Sequence, residues 1–393
     1  MEPDKIGQER MRVLMAAPVG AGREGGVANV LYNQAQGLRA LGHEVTCWFR
    51  EDILGKDGRA GRLEMLRLAT ELARRIREAE DSFDVALIHA PAGLVYGMLQ
   101  RLRRQGTRPA YVMMLHGIEE RRIHAMSREA RKGRAWYFRF RNRVWQHLYL
   151  MPLYRLSIVT CDHAVVINRE TWSMLQLKYG RDAERVWYIP NGVEERFLRP
   201  RSYGTGEATK LLFVGTWLDH KGVYYLKDGF EMLAEDYPEL RLTIAGCMAD
   251  AKSVLSFFSP EIRARVDVIP FVAAADMPSL YEGHDIFVFP SLMEGMPIVL
   301  LEAMASGLPV VTTETCGMMD VVEDRYNGLL AKPADAKGFA AQVRKLIEFA
   351  ELREGLGRRA QETMRRSTWD AMAVSLEQAL RAAVEVKAGT DAK

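Results

Sequence analysis

The segment FPSLMEGMPIVLLEAMASGLPVVTT, residues 289–313, carries two glutamates eight positions apart. Its strand should end at Phe289, Pro297 suits the first turn of a helix, and Gly307 with Pro309 should stop that helix about three turns later. Glu294 then falls in the strand-to-helix loop. Glu302 falls inside a helix whose other residues are almost all apolar, and a carboxylate in that setting needs a partner. The backbone amides of Gly295, Met296, Ile298 and Val299 emerge where the helix dipole favours an anion, and only Pro297 has no N–H to give. With two acceptor oxygens, Glu302 could hold a vicinal diol such as a ribose. The same spacing also fits a Glu302 paired with a buried arginine and a Glu294 that is a solvated loop acid.

Two features of the first half carry further chemistry. PVGAGREGGVANV places Gly20, Gly22 and Gly25 after a strand, a G-x-G-x-x-G match that alone would suggest a dinucleotide. The acid expected at the end of the following strand is displaced, since Phe49 and Arg50 stand there and Glu51 and Asp52 come after. Gly25 and Gly26, opening the helix around Val27, would let backbone amides approach a phosphate, although a structural turn would use the same glycines. His116 ends the strand in YVMMLHG, where a lone histidine can also be a structural hydrogen-bond donor.

The elements that must hold these residues alternate between apolar β-rich runs and helical segments, the signature of parallel sheets built from βαβ units. Candidate strands in the first half are 12–17, 44–49, 84–89, 111–115, 164–167 and 186–189. After Pro190, Asn191 and Gly192, a polar, Gly-bearing stretch runs to Lys210 without periodicity and serves as the linker. A second series follows with strands at 211–214, 241–245, 266–269, 286–289 and 310–312, and a helical run closes the chain near 369–386. The expected fold is α/β, with two doubly wound domains, 1–190 and 191–368. Residues 369–393 supply a terminal helix, expected to return to the first domain, and a polar tail. Open sheets of this kind bind ligands at their carboxyl ends, so two of them facing a central cleft would put the chemistry in the loops after the strands.

Composition narrows the class. With 393 residues, 48% hydrophobic and 27% charged, the chain is globular and not disordered or collagen-like. No apolar stretch reaches the ~18 residues of a membrane span, and the opening MEPDKIGQER is polar, so a cytoplasmic location is expected. Cys47, Cys161, Cys247 and Cys316 are scattered, which suggests neither disulfides nor a thiolate metal site. Neither H-E-x-x-H nor Asp-x-Asp occurs, so no metal is expected. Charge is nearly balanced at +3, yet residues 121–143, from Arg121 to Arg143, hold nine Lys or Arg and one acid. There Trp136, Tyr137, Phe138 and Phe140 interleave with arginines, and Tyr137, Phe140, Val144 and Leu148 form a stripe at helical spacing. Such a helix could lie on an anionic membrane surface, hold a phosphate-bearing acceptor, or be an ordinary helix with a solvated basic face. No motif accompanies the charge that would suggest nucleic acid.

Taken together, Glu294 and Glu302 and the surrounding EGMPIVLLEAMASGLPVV resemble the E-x7-E segment of the retaining GT-B glycosyltransferases, family 4. FVGTWLDHKG at 213–222, YIPNGV at 188–193 and CDHAVVIN at 161–168 are similar to further segments of that family. The resemblance implies two Rossmann-like domains and transfer of a hexose from a nucleoside diphosphate sugar, UDP- or GDP-linked, to a glycan or lipid-linked hydroxyl. The reaction would proceed with retention, without metal or cofactor, in polysaccharide or glycolipid assembly on or near the inner membrane face. It implies that Glu294, His116 and Lys221 serve catalysis: Glu294 orienting sugar hydroxyls, His116 bonding the transferred sugar and Lys221 neutralising the diphosphate. Donor binding would add Gly25, Gly26, Gly295, Met296, Ile298 and Val299, with Val272 meeting the base through its backbone and Glu302 the ribose. The family's usual arginine at the start of the 215–222 loop is replaced by Thr216, so one of two phosphate cations is missing. An NAD(P)-dependent oxidoreductase would explain the glycine loop but not the two glutamates. A catalytically inactive sugar-nucleotide sensor would explain every motif and also Thr216.

Overall fold

The computed structural model describes residues 9–22, 26–55, 63–102, 109–117, 119–135 and 140–391. Six parallel strands form a first sheet: β1 Arg12–Ala16, β2 Glu44–Trp48, β3 Val85–His89, β4 Ala110–Leu115, β5 His163–Val166 and β6 Val186–Tyr188, in the order β2-β1-β3-β4-β5-β6. A second sheet contains β7 Lys210–Val214, β8 Arg241–Ala245, β9 Val266–Ile269, β10 Ile286–Phe289, β11 Val310–Thr313 and β12 Leu329–Ala331, in the order β12-β11-β10-β7-β8-β9. The central strands are apolar runs because helices cover both faces of a parallel sheet. All six residues of β4, AYVMML, are buried. Eleven of the twelve strands among the described residues were expected; β12, three residues at the sheet edge, was not.

The chain divides into two compact units. One comprises Met1–Gly117, His147–Pro190 and Trp369–Lys393; the other comprises Ile118–Gln146 and Asn191–Thr368. Within the first, the terminal helix Trp369–Asp391 packs on the helix Gly26–Ala40, and a Cβ at Gly37 would come within 2.5 Å of the Ala373 Cβ. A boundary at residue 190 therefore needs one correction, because residues 118–146 group with the second unit. Polar contacts account for it: the buried Glu129 accepts a 2.6 Å hydrogen bond from the Tyr225 hydroxyl, and Arg134 lies 3.0 Å from Asp228.

Each sheet has a point where successive connections leave in opposite directions, and ligand crevices open there at the carboxyl ends of the strands. In the first sheet that point lies between β1 and β3; in the second, between β7 and β10. The loops after β7 and β10 carry Lys221 and Glu294 respectively. They meet backbone to backbone at Gly222, which has φ +72° and whose Cβ, were there one, would stand 1.9 Å from the Pro290 carbonyl oxygen. Gly222→Ala is therefore expected to lower stability by about 2 kcal/mol, from left-handed strain and displacement of the Pro290 backbone. Urea denaturation measures it, and an unchanged midpoint would contradict the close approach.

Candidate active site

Lys221 sits in a short helical turn, Asp219–Lys221, ahead of Gly222, and its Nζ lies 2.7 Å from Glu294 Oε1. Both side chains are largely buried. The Ser291 hydroxyl donates to the same Oε1 at 2.9 Å and the ammonium lies 5.3 Å from the centre of the Phe289 ring. The Leu292 amide donates to the His220 carbonyl at 2.8 Å, which ties the two loops together. Burial alone would push Glu294 up, but Lys221, His220 and the Ser291 hydroxyl hold it below the ordinary carboxylate value. Burial pushes His220 down to about 4, with Glu294 opposing, so at neutral pH it adds no second cation. The sequence indicated both Lys221 and Glu294 but not that they pair, and it did not mark Ser291.

Glu302 occupies the helix Ile298–Ala305, which begins after Pro297 and runs for about two turns, shorter than the three expected. Its partner is not an arginine: the Tyr281 hydroxyl donates to Glu302 Oε2 at 2.8 Å, from the helix Met277–Glu282. Burial pushes Glu302 up to about 7, partly opposed by that hydrogen bond. Tyr281 went unnoticed because nothing in its spacing links it to Glu302; only the rule that a buried carboxylate needs a partner pointed to such a residue. The amides of Ile298 and Val299 precede the first intrahelical bond, from Leu300 N–H to the Pro297 carbonyl at 3.0 Å. Gly295 and Met296 lead into this turn. Asn191 holds it by donating from Nδ2 to the Met296 carbonyl at 3.2 Å, and Gly317 packs so closely that a Cβ would stand 1.8 Å from the Gly295 carbonyl oxygen. Thr216 lies half-buried in the loop after β7, and Val272 half-buried in the loop after β9.

In the first unit, His116 directly follows β4 and its Nε2 lies 2.8 Å from Nδ1 of His89, the last residue of β3. Burial pushes His116 down to about 4 and His89 well below its ordinary value, so both rings are neutral at pH 7. His89 was missed, although it ends a strand at the β1/β3 crevice just as His116 ends the neighbouring one. Gly25 lies outside the described residues. Gly26 opens the helix Gly26–Ala40, and a Cβ there would meet nothing within 4 Å among the described residues.

The basic stretch is less cationic than its sequence suggests. Arg122 pairs with Glu119, Lys132 with Glu129, and Arg134 with Asp228. Trp136, Tyr137, Phe138 and Arg139 lie outside the described residues; Val144 and Leu148 are exposed at 40% and 76%. Among the described residues no helix is long and apolar enough to cross a membrane.

In the second unit, the Lys221–Glu294 pair thus lies in the loops after β7 and β10, and the helix that carries Glu302 opens just beyond the Glu294 loop. Comparison with known proteins gives the family of the chain. Residues 196–363 match the model for glycosyl transferases group 1, and residues 24–197 that for glycosyltransferase family 4. Mannosylfructose-phosphate synthase of Agrobacterium fabrum is 28% identical over 258 residues, 61% of this chain and 55% of that protein, so the match spans just over half of the relative's length. Sucrose-phosphate synthase from Thermosynechococcus elongatus superposes with a TM-score of 0.76 at 17% identity, over 96% of this chain and 100% of that one. Anabaena HepE, solved in complex with UDP and glucose, gives 0.68 at 18% identity, over 95% and 100%.

Proposed function

The chain belongs to the group 1 glycosyltransferases of the GT-B fold, and we propose that within this family it is a retaining hexosyltransferase using a nucleoside diphosphate sugar. What carries the reading is the Lys221–Glu294 pair at the β7/β10 crevice with Glu302 on the adjoining helix. The anomeric carbon's bond to the diphosphate breaks and the electron pair leaves with the phosphate. The acceptor oxygen bonds to the same carbon on the same face, and the acceptor's proton passes to the departing phosphate oxygen. The protein's share is electrostatic preorganisation. Lys221, the Ile298 and Val299 amides and the Gly25–Gly26 amides meet the leaving group; Glu294 and His116 meet sugar hydroxyls; Glu302 holds the ribose; and the Val272 backbone meets the base. No metal or cofactor takes part. UDP-sugar is the first donor to test, because HepE of the same fold was solved with UDP, and GDP-sugar the second.

A thermal-shift panel of UDP, GDP, ADP and their sugars tests the reading, since ligand at ~100 times its dissociation constant stabilises by roughly 2.7 kcal/mol. Donors that shift the midpoint should then be turned over with glycan and lipid-linked acceptors. A shift without turnover throughout would favour the inactive sensor, and a response to nicotinamide dinucleotides alone would favour the oxidoreductase.

The acceptor belongs to polysaccharide or glycolipid assembly, with the enzyme in the cytoplasm and its 121–143 stretch resting on the inner face of the membrane. Each basic group near an anionic surface contributes about 1 kcal/mol, and the three ion pairs above reduce the count. Binding to phosphatidylserine vesicles is expected at low salt and should fall steeply towards physiological ionic strength, where charges are screened within about 8 Å. Absence of binding at low salt removes the membrane from this account.

A further inference from the structure

We propose that His89 is a positioning residue that holds His116 in the tautomer protonated at Nδ1, by donating its own Nδ1–H to His116 Nε2. The inference rests on the reading that His116 meets the sugar, and concerns how its ring is prepared for that role. Three observations carry it. The two nitrogens are 2.8 Å apart, so a single proton lies between them. His89 is 1% exposed, and among the described residues its other nitrogen, Nε2, has no hydrogen-bond partner. The rings sit 4.8 Å apart at a 39° tilt, fixed at the ends of the adjacent strands β3 and β4.

Two arrangements are open to a neutral pair. If His116 donates from Nε2, then His89 accepts at Nδ1 and must carry its own proton on Nε2. That proton is a buried N–H with no acceptor among the described residues. If His89 donates from Nδ1, its Nε2 is a bare lone pair, and no N–H is orphaned. Both arrangements leave His89 Nε2 desolvated, and we take the second because buried N–H groups without an acceptor are rarer in backbone surveys than acceptors without a donor. Free imidazole leans modestly towards the Nε2–H form, but this burial opposes it. The second arrangement therefore holds, and the nitrogen of His116 not engaged by His89 carries a proton. His116 is then a hydrogen-bond donor at Nδ1, able to give that proton to a hydroxyl oxygen of the sugar, and it stays a donor without becoming charged.

The full chain labelled with 15N in the histidine rings tests this by long-range 1H–15N correlation, which separates the two tautomers. The His116 signals are assigned by their loss in His116→Asn. The expected wild-type pattern is Nδ1 protonated and Nε2 bare; the reverse pattern overturns the proposal. In His89→Asn the side-chain amide replaces the Nδ1–H donor, so the tautomer and sugar transfer should stay within a few-fold of wild type. In His89→Phe the donor is gone, His116 should shift towards Nε2–H, and transfer should fall ~10- to 100-fold, the scale on which partners of functional histidines act. A His116 ring unchanged in His89→Phe overturns the proposal. If the ring changes and transfer does not, the tautomer assignment stands and the role of His116 towards the sugar falls. Should His89→Phe not fold, the wild-type and His89→Asn spectra still decide.

Discussion

Lys221→Ala is expected to cut sugar transfer by ~10²-fold or more, the usual loss when a donor to a transition-state anion is removed. The effect should be at the upper end of that range, because Thr216 brings no charge to the loop and burial keeps His220 neutral. Half a unit charge from a helix dipole cannot balance a diphosphate by itself. The ion pair makes the experiment harder to read than the sequence implied. Removing Lys221 also leaves the buried Glu294 with the Ser291 hydroxyl but without its ammonium. Breaking one side of a buried pair typically costs 3–5 kcal/mol, so Lys221→Ala should lower the denaturation midpoint as well as turnover. Lys221→Met combined with Glu294→Gln reads the stability loss by itself, since it also takes away the Glu294 carboxylate proposed to meet the sugar. It removes both charges, keeps the volume and the Ser291 hydrogen bond, and should recover most of the stability while transfer stays low. Calorimetry adds the second axis: affinity for the diphosphate should fall in the single variant, and affinity for the bare nucleoside should barely change. If the double variant regains turnover, or nucleoside and diphosphate weaken alike, Lys221 is a structural residue and its phosphate role is wrong.

What the sequence made legible follows from what each feature depends on. Burial on both faces of a parallel sheet writes itself as runs such as YVMML and IFVF, so the long strands could be located from composition and spacing. The E-x7-E spacing likewise put Glu294 in a loop and Glu302 on a helix, because a strand, a proline and a glycine punctuate the same 25 residues. Partners were not legible where they come from distant segments. Lys221 reaches Glu294 across 73 positions of sequence only because β7 and β10 are neighbours in the sheet. Tyr281 and Glu302 are 21 apart on two different helices, and His89 and His116 are 27 apart on two different strands. Strand order decides these meetings, and local pattern does not encode strand order. The attachment of residues 118–146 to the second unit was hidden for the same reason. It depends on Glu129 finding the Tyr225 hydroxyl 96 residues away, while its basic composition pointed towards solvent or lipid.

Nucleoside affinity should rise with pH through about 7, because the form of Glu302 proposed to hold the ribose is its carboxylate. Burial holds this group at about 7, against an ordinary value of 4.5. Ribose hydroxyls donate, and a carboxylate accepts at both oxygens; Tyr281 occupies Oε2, so Oε1 is the oxygen proposed to receive the ribose. Below pH 7 the acid form dominates and one oxygen becomes a donor, so each further pH unit should weaken binding up to ~10-fold. The sign for stability is the opposite. A carboxyl raised on folding stabilises the fold in acid, below its unfolded value near 4.5, and that contribution, about 3 kcal/mol, is lost as pH rises through 7. Ligand-free protein should thus lose stability between pH 5 and 7.5 while its affinity for nucleoside grows, a divergence that no general loosening of the fold produces. Glu302→Gln cannot titrate, so both slopes should flatten. A 2′-deoxynucleoside should lose affinity against wild type at pH 8 and little against the variant. Calorimetric titration of uridine, guanosine and their 2′-deoxy forms at pH 5.5, 7 and 8.5 reads all of this directly. If wild type and Glu302→Gln keep the same pH slope, or discriminate the 2′-hydroxyl equally, then Glu302 only packs against Tyr281 and the ribose is held elsewhere.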